Sequence, residues 1–253
     1  MVHDLLQEMG KEIVRQESIK GPGKRSRLWH HEDIYHVLTK STGTEAIEGI
    51  TLDMSKIRDI CVNSHTFAKM HNLRFFKFYS SSYGENKNKN LVVLDMPQSN
   101  VEQLWSGVQE LFKLKHLNLS HSKLLTGGPD LSLAPNLESL NLQGCTSLLD
   151  THSSVKNLKK LGVLNLKDCK SLRNLPTCIH LSSLGTLILS GCLELKTFPE
   201  VSCNIKELFL DGTAIEELPS SMEQLSKLVT LNLENCSGLA CIPISICPHL
   251  LSS

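Results

Sequence analysis

The 253-residue sequence has no excess of charge of either sign: 26 lysines and arginines stand against 26 aspartates and glutamates. A formal net charge of zero gives no bulk attraction toward nucleic acid or an anionic membrane. Long apolar runs are missing too. No stretch approaches the roughly 18 uninterrupted apolar residues of a membrane-crossing helix. The opening Met1–Gly10 lacks the basic start, apolar run and small-residue cleavage site of a secretory signal. The nine cysteines are odd in number and include no Cys-x-x-Cys pair, so they read as reduced thiols rather than a disulfide framework or a structural zinc site. The two glycosylation sequons, at Asn118 and Asn235, read as chance matches in such a chain. A phosphate loop is also absent: around Gly21-Pro-Gly-Lys24-Arg25, Ser18 stands where its first glycine belongs and Arg25 where its Ser or Thr belongs. His3, His30, His31 and Asp33 read as solvent-facing side chains, not as a metal cluster. No Cys or His sits with an acid, a base and an oxyanion donor at legible spacing, so no catalytic residue and no enzyme activity is expected.

What is present is leucine. There are 44, about one residue in six, and all but six lie at or after Leu91. With 40% hydrophobic and 21% charged residues the chain is too apolar and too evenly charged to be disordered, and so lopsided a distribution points to a repeat. The pattern L-x-x-L-x-L-x-x-(N/C/S/T) recurs from Leu91, Leu114, Leu137, Leu161, Leu184, Ile205 and Leu228. The steps are 23, 23, 24, 23, 21 and 23 residues, within the spacing of leucine-rich repeats. Weaker matches begin at Ile47 and Leu73.

The L-x-L centre alternates with period two, which makes a short strand with one apolar face. One such unit cannot bury that face alone, whereas stacked neighbours form a continuous parallel sheet and core. Proline after Leu175, Phe198, Leu218 and Ile242 ends a strand and starts each return segment, and pieces such as 220–225 form a helix or turn on the convex side. Cys145, Cys169, Cys192 and Cys236 fall at the ninth position, which faces inward, so they are structural. Outward positions form the candidate recognition surface: His116, Asn118, Asn141, Asn165, Lys167, Ile188, Lys206, Phe209, Asp211, Asn232 and Glu234. Ile188 beside Phe209 is an apolar pair in an otherwise polar strip. On this register, replacing Leu164 or Leu187 with Asp unfolds local repeats, and replacing the outward Asn165 changes stability by no more than about 0.5 kcal/mol.

The first 45 residues differ. Asp4 is placed to cap a helix carrying Leu5, Leu6, Met9, Ile13 and Val14, which Gly21-Pro-Gly23 stops. Lys24–Trp29 reads as a basic linker, and 32–38 as a second amphipathic helix ended by Gly43. This segment is too short to hold a core alone.

These residues resemble one family. Val2-His-Asp-Leu-Leu-Gln-Glu-Met-Gly-Lys-Glu-Ile-Val14, Pro22-Gly-Lys-Arg-Ser-Arg-Leu-Trp29, His31-Glu-Asp-Ile34 and Gly43-Thr-Glu-Ala-Ile-Glu-Gly49 are similar to plant Toll/interleukin-receptor-type, nucleotide-binding, leucine-rich-repeat disease-resistance proteins. The resemblance continues in Leu117-Asn-Leu-Ser-His-Ser122, Gly144-Cys-Thr-Ser-Leu148, Leu189-Ser-Gly-Cys192 and Asp211-Gly-Thr-Ala-Ile215-Glu-Glu-Leu-Pro-Ser-Ser221, across essentially the whole chain. It implies an α/β fold: residues 1–45 as the helical end of a winged-helix, nucleotide-binding region, and residues 46–253 as a leucine-rich-repeat solenoid of about eight or nine turns with its parallel sheet on the concave face. His3 would contact an ADP phosphate in such a receptor, and Asp4 would cap the following helix, with Val2 in place of the usual methionine. This chain lacks the upstream NAD-cleaving domain and nucleotide motifs, so no cofactor is expected in it; ADP or ATP belongs to full-length relatives only. The implied role is a non-catalytic recognition and autoregulatory module of an intracellular immune receptor. Its partners would be proteins (a pathogen effector, a guarded host protein or a receptor nucleotide-binding domain), with neither nucleic acid nor membrane. The location would be cytoplasmic, the nucleus being an additional site. The alternative is a truncated stand-alone repeat scaffold or decoy. Residues 84–90 stand where relatives carry further repeats, and the chain stops at Ser253 just inside another, as a truncated product would.

Overall fold

A computed structural model of the chain describes residues 2–53, 61–62, 64–67, 69–73, 75–79, 91–105, 108–109, 111–179 and 181–240. The segments 84–90 and 241–253, and with them Ile242-Pro243, lie outside the described residues.

Helix α1 spans Val2–Glu17. It begins at Val2, so Asp4 sits in its first turn rather than ahead of it as a cap. Its apolar residues do recur at helical spacing, yet most are uncovered: Leu5, Leu6, Met9 and Ile13 are 55–66% exposed, and Val14 is half-buried. A short 3-10 turn, Pro22–Lys24, leads into strand β1, Arg27–Leu28. The basic stretch is therefore not a linker. Leu28 is buried, and Arg25 is only 6% exposed, with each of its three guanidinium nitrogens donating a hydrogen bond. It donates to Asp33 Oδ2 (2.7 Å), to the Ser18 carbonyl (2.8 Å) and to the Ile19 carbonyl (3.2 Å). Helix α2, His31–Lys40, buries Ile34, Val37 and Leu38, spaced i, i+3, i+4. Glu32 and Asp33 in its first turn and Lys40 in its last suit the helix dipole. It ends on Ser41 in the left-handed conformation (φ 51°), two residues before the expected Gly43.

The strands follow as β2 (Gly49–Asp53), β3 (Cys61–Val62), β4 (Phe75–Tyr79), β5 (Val93–Asp95), β6 (His116–Asn118), β7 (Ser139–Asn141), β8 (Val163–Asn165), β9 (Cys178–Ile179), β10 (Thr186–Ile188), β11 (Glu200–Val201), β12 (Glu207–Phe209) and β13 (Thr230–Asn232), with a one-turn helix α3 at Ser64–Phe67. All their pairings are parallel, as a chain of stacked turns requires. The main sheet runs β3-β5-β6-β7-β8-β10-β12-β13, with Leu94, Leu117, Leu140, Leu164, Leu187, Leu208 and Leu231 side by side. A second sheet runs β1-β2-β4, in which Ile50 faces Phe76 and Leu52 faces Phe78, so the two weaker sequence matches are also in register. The partner of β5 is β3 rather than β4, so the first turns do not pair in simple chain order. Strand β1 joins residues 27–28 to 49–50, so the helical segment shares a sheet with the first two turns and a core, from Leu28 to Leu228, with the repeats.

The return segments carry short second contacts: β9 pairs with β11, and Asp150 bridges both Gly127 and Asn174. Ser220–Gln224 is a 3-10 turn that buries Met222, as the amphipathic spacing suggested. Strands β5, β6, β7, β8, β10, β12 and β13 are each left through one residue with positive φ: Gln98, His121, Gly144, Asp168, Gly191, Gly212 and Asn235, between 57° and 72°. The amide of each, up to Gly212, donates to a carbonyl one turn further on, as Asp168 does to Ser190 and Gly191 to Asp211 (both 2.7 Å). The ladder thus runs past the strands themselves.

Candidate functional site

The main sheet and its flanks carry every proposed recognition residue, most of them in parallel columns. Asn118, Asn141, Asn165, Ile188, Phe209 and Asn232 stand in register beside Asp95, one per strand and all half-buried. Neighbouring strands lie about 4.8 Å apart, so these side chains form one continuous strip. His116 lies two residues earlier on β6, and Lys206 immediately precedes β12; both are exposed. Lys167, Asp211 and Glu234 form a third column two residues beyond the strip. His3 and Asp4 lie in α1, away from this surface in the chain, and their side chains are outside the described residues.

The asparagines have a structural task that sequence spacing did not reveal. Asn118, Asn141, Asn165 and Asn232 each accept, through Oδ1, the amide hydrogen of the residue two further on, at 3.0–3.1 Å. This Asx turn bends the chain out of the strand toward the left-handed residue that follows. Nδ2 remains for the surface: Asn118 donates to Asp95 (2.7 Å) and Asn165 to Gln143 (3.3 Å). Asn at a strand end, two residues before a turn, was the available signal. Ile188 and Phe209 have no such acceptor, and Asp211 instead accepts from the Ser190 hydroxyl (2.6 Å). Below the strip, Lys115 bonds Glu138 at 2.9 Å, which holds that exposed carboxyl below its ordinary pKa.

Behind the strip the ninth-position side chains form an internal ladder. The Cys145, Cys169 and Cys192 thiols are fully buried, and each donates to a carbonyl of the preceding turn, Leu119, Leu142 and Leu166 respectively, at 3.1–3.2 Å. The partly buried Cys236 does the same to Leu210 (3.1 Å). Burial pushes Cys145 up to about 11 and Cys192 up to about 12, and moves Cys169 in the same direction. A thiol kept protonated, with its hydrogen committed to a carbonyl, is no nucleophile.

One constellation with a catalytic outline does form. His152 Nδ1 lies 2.9 Å from Ser154 Oγ and 3.6 Å from Asp130 Oδ1. The geometry fails as a relay, because serine and aspartate meet the same ring nitrogen and that nitrogen also accepts the Ser154 amide hydrogen (3.2 Å). Ser154 is 2% exposed, and its Oγ accepts from the Leu131 amide (2.9 Å). The cluster ties two neighbouring return segments together. Burial acts to raise the Asp130 pKa, but hydrogen bonds from the Ser132 hydroxyl and amide and the nearby His152 leave it below its ordinary value. No cluster of three or more His, Cys, Asp and Glu suited to a metal occurs among the described residues. No described helix is long and apolar enough to cross a membrane.

The family model described as Leucine Rich Repeat matches residues 90–109. The chain is 44% identical to the disease resistance protein RPP2A of Arabidopsis thaliana over 94% of its own length and 20% of that protein. It is 38% identical to the disease resistance protein RML1A of the same plant over 100% of the chain and 28% of the relative. For the disease resistance protein RPP2B the figures are 40%, 96% and 23%. The resemblance to plant Toll/interleukin-receptor-type leucine-rich-repeat disease-resistance proteins is borne out, and the chain spans about a quarter of the length of these relatives. Among solved structures, the leucine-rich repeat domain of the type III effector XopL aligns with TM-score 0.44 and 22% identity, over 83% of this chain and 69% of that one. A Leptospira interrogans LRR protein aligns with TM-score 0.42 and 20% identity, over 87% of this chain and 62% of that one.

Proposed function

We propose, from the premise that this chain is similar along nearly its whole length to a segment of plant disease-resistance proteins, that it is the recognition and autoregulatory module of a plant immune receptor. Its work is binding rather than catalysis. Its partners are proteins, namely a pathogen effector, a guarded host protein or the nucleotide-binding domain of a receptor, and it acts in the cytoplasm and nucleus. The observation that carries this reading is the register of the outward strip, in which seven aligned strands present Asp95 to Asn232 as one surface. A stacked sheet whose inner side is leucine and whose outer side varies from turn to turn supports protein recognition.

The uncovered apolar stripe of α1, with Leu5, Leu6, Met9 and Ile13 exposed, supports a module that leans on a further domain over a free-standing scaffold. In that receptor, His3 at the start of α1 is the residue that contacts the nucleotide phosphate, and ADP or ATP is held by the rest of the receptor. Co-immunoprecipitation with the nucleotide-binding domain of a disease-resistance relative, together with expression in leaves, tests the proposal. Capture of that domain and a changed defence response are expected. No capture and an unchanged response would sink it.

A further inference from the structure

Neighbouring turns break the surface rules that the others keep, and they do so side by side. The Asx turns of Asn118, Asn141, Asn165 and Asn232 are absent at Ile188 and Phe209, which are paired in register on β10 and β12. On the flank of β8 and β10, Gly162 and Gly185 stand where other turns carry Val92, Lys115, Glu138, Lys206 and Val229. Neither glycine is demanded by the backbone. Neither has a left-handed φ, and a β-carbon on either would meet nothing nearer than 3.6 Å, ordinary van der Waals contact. The missing side chains therefore serve the surface and not the fold, and departures of this kind mark function.

Together they open a depression of about 600 Å³ floored by the two glycines. Val163 (38% exposed) and Val229 (77% exposed) wall it, giving an apolar seat. Its charged lining is Lys206 and Lys227 against Glu207. Glu207 already accepts from the Thr186 hydroxyl (2.8 Å), and Lys227 donates to Asn204 (2.7 Å). Among the described residues no carboxylate is in ion-pair contact with Lys206. The rim is net positive beside an apolar floor.

We propose that this depression is an anchor site for an acidic protein segment: a bulky apolar side chain seats over Gly162 and Gly185 while a neighbouring carboxylate pairs with Lys206. Aromatic anchors in desolvated pockets dominate protein recognition, and a flanking charge sets their orientation. The inference rests on the recognition role proposed above.

The test is fluorescence anisotropy of the chain with three labelled dodecapeptides: one with a central Phe flanked by Asp and Glu, one with Lys flanks, and one acidic with a central Ala. The acidic Phe peptide is expected to bind at least about tenfold more tightly than either control. Gly185→Gln and Gly162→Gln, whose β-carbons meet only ordinary van der Waals contacts, each lower that binding by about tenfold or more with an unchanged melting temperature. Lys206→Glu reverses the preference toward Lys flanks, and Ser139→Gln on β7 changes nothing. Equal binding of the three peptides, or undiminished binding by both glycine variants, overturns the proposal. A defence response that persists without peptide selectivity overturns this site alone. Peptide selectivity that persists without a defence response overturns only the receptor role.

Discussion

The Asp168 carboxylate covers Gly191: Oδ1 lies 2.6 Å from where a β-carbon on that glycine would stand. Both residues have left-handed φ, 58° and 72°, and they occupy the same position in successive turns. Where one turn places a side chain, the next leaves room for it, and His121 over Gly144 repeats the arrangement.

Gly191→Ala therefore meets two obstacles, an unfavourable φ and the Asp168 carboxylate. The expected loss is about 1–3 kcal/mol of unfolding free energy, read by urea denaturation. Gly185→Ala, with no positive φ and no atom nearer than 3.8 Å, stays within about 0.5 kcal/mol. Equal losses would contradict the assigned roles of the two glycines.

Asn165 is not the silent surface residue that its outward position suggested. Its Oδ1 accepts the Lys167 amide hydrogen at 3.0 Å, so Asn165→Ala is expected to lose about 0.5–1.5 kcal/mol. Asn165→Asp keeps the acceptor and loses less. Leu164→Ala, next to it and fully buried, loses about 2–5 kcal/mol. Urea titration of the three variants gives the order directly.

The buried thiols make the fold sensitive to alkali. Burial raises Cys145 from about 9 to about 11 and Cys192 to about 12, with Cys169 shifted the same way. A raised folded pKa means that the contribution is complete below the unfolded value and is lost as pH rises through the folded one. Stability under reducing conditions should thus decline from about pH 9 toward 11–12, by at most about 1.4 kcal/mol per pH unit for each thiol. Cys→Ser at positions 145, 169 and 192 should flatten that slope. At pH 8, a maleimide should label the exposed Cys203 and spare those three.

Arg25 ties the end of α1 to the start of α2, so its partners can be removed one at a time. Asp33→Asn leaves a nearly buried guanidinium short of its counter-charge, and a loss of about 1–3 kcal/mol is expected. Arg25→Lys retains the charge but not the reach to the Ser18 and Ile19 carbonyls, and should recover only part of the stability. Thermal unfolding of both variants against the parent checks the order.

The repeat register was legible because a leucine every second residue, returning at a near-constant interval, encodes both which side is buried and which residues become neighbours. Ile188 and Phe209 could be paired from sequence for that reason. Strand β1 could not: Arg27–Leu28 is two residues long, and its partner lies 22 residues away at Gly49–Ile50, beyond any local period. Arg25 looked like linker because a buried cation declares itself only through the carbonyls and the carboxylate that converge on it. The Ser154–His152–Asp130 cluster was hidden for a related reason, being assembled across two turns. On the outward surface, position followed from the alternation of the strands, but the division of labour did not. Whether an asparagine closes a turn or faces a partner depends on the conformation of the residues after it.

The steps between aligned strands are 23, 23, 24, 23, 21 and 23 residues, yet the strands themselves stay in register. All of the slack is taken up in the return segments. A residue gained or lost between Leu193 and Asn204 lengthens or shortens the back of one turn and leaves Ile188 and Phe209 side by side. Spacing and surface chemistry are thus independent degrees of freedom in this architecture: new surface combinations can be tried on one side without re-indexing the other.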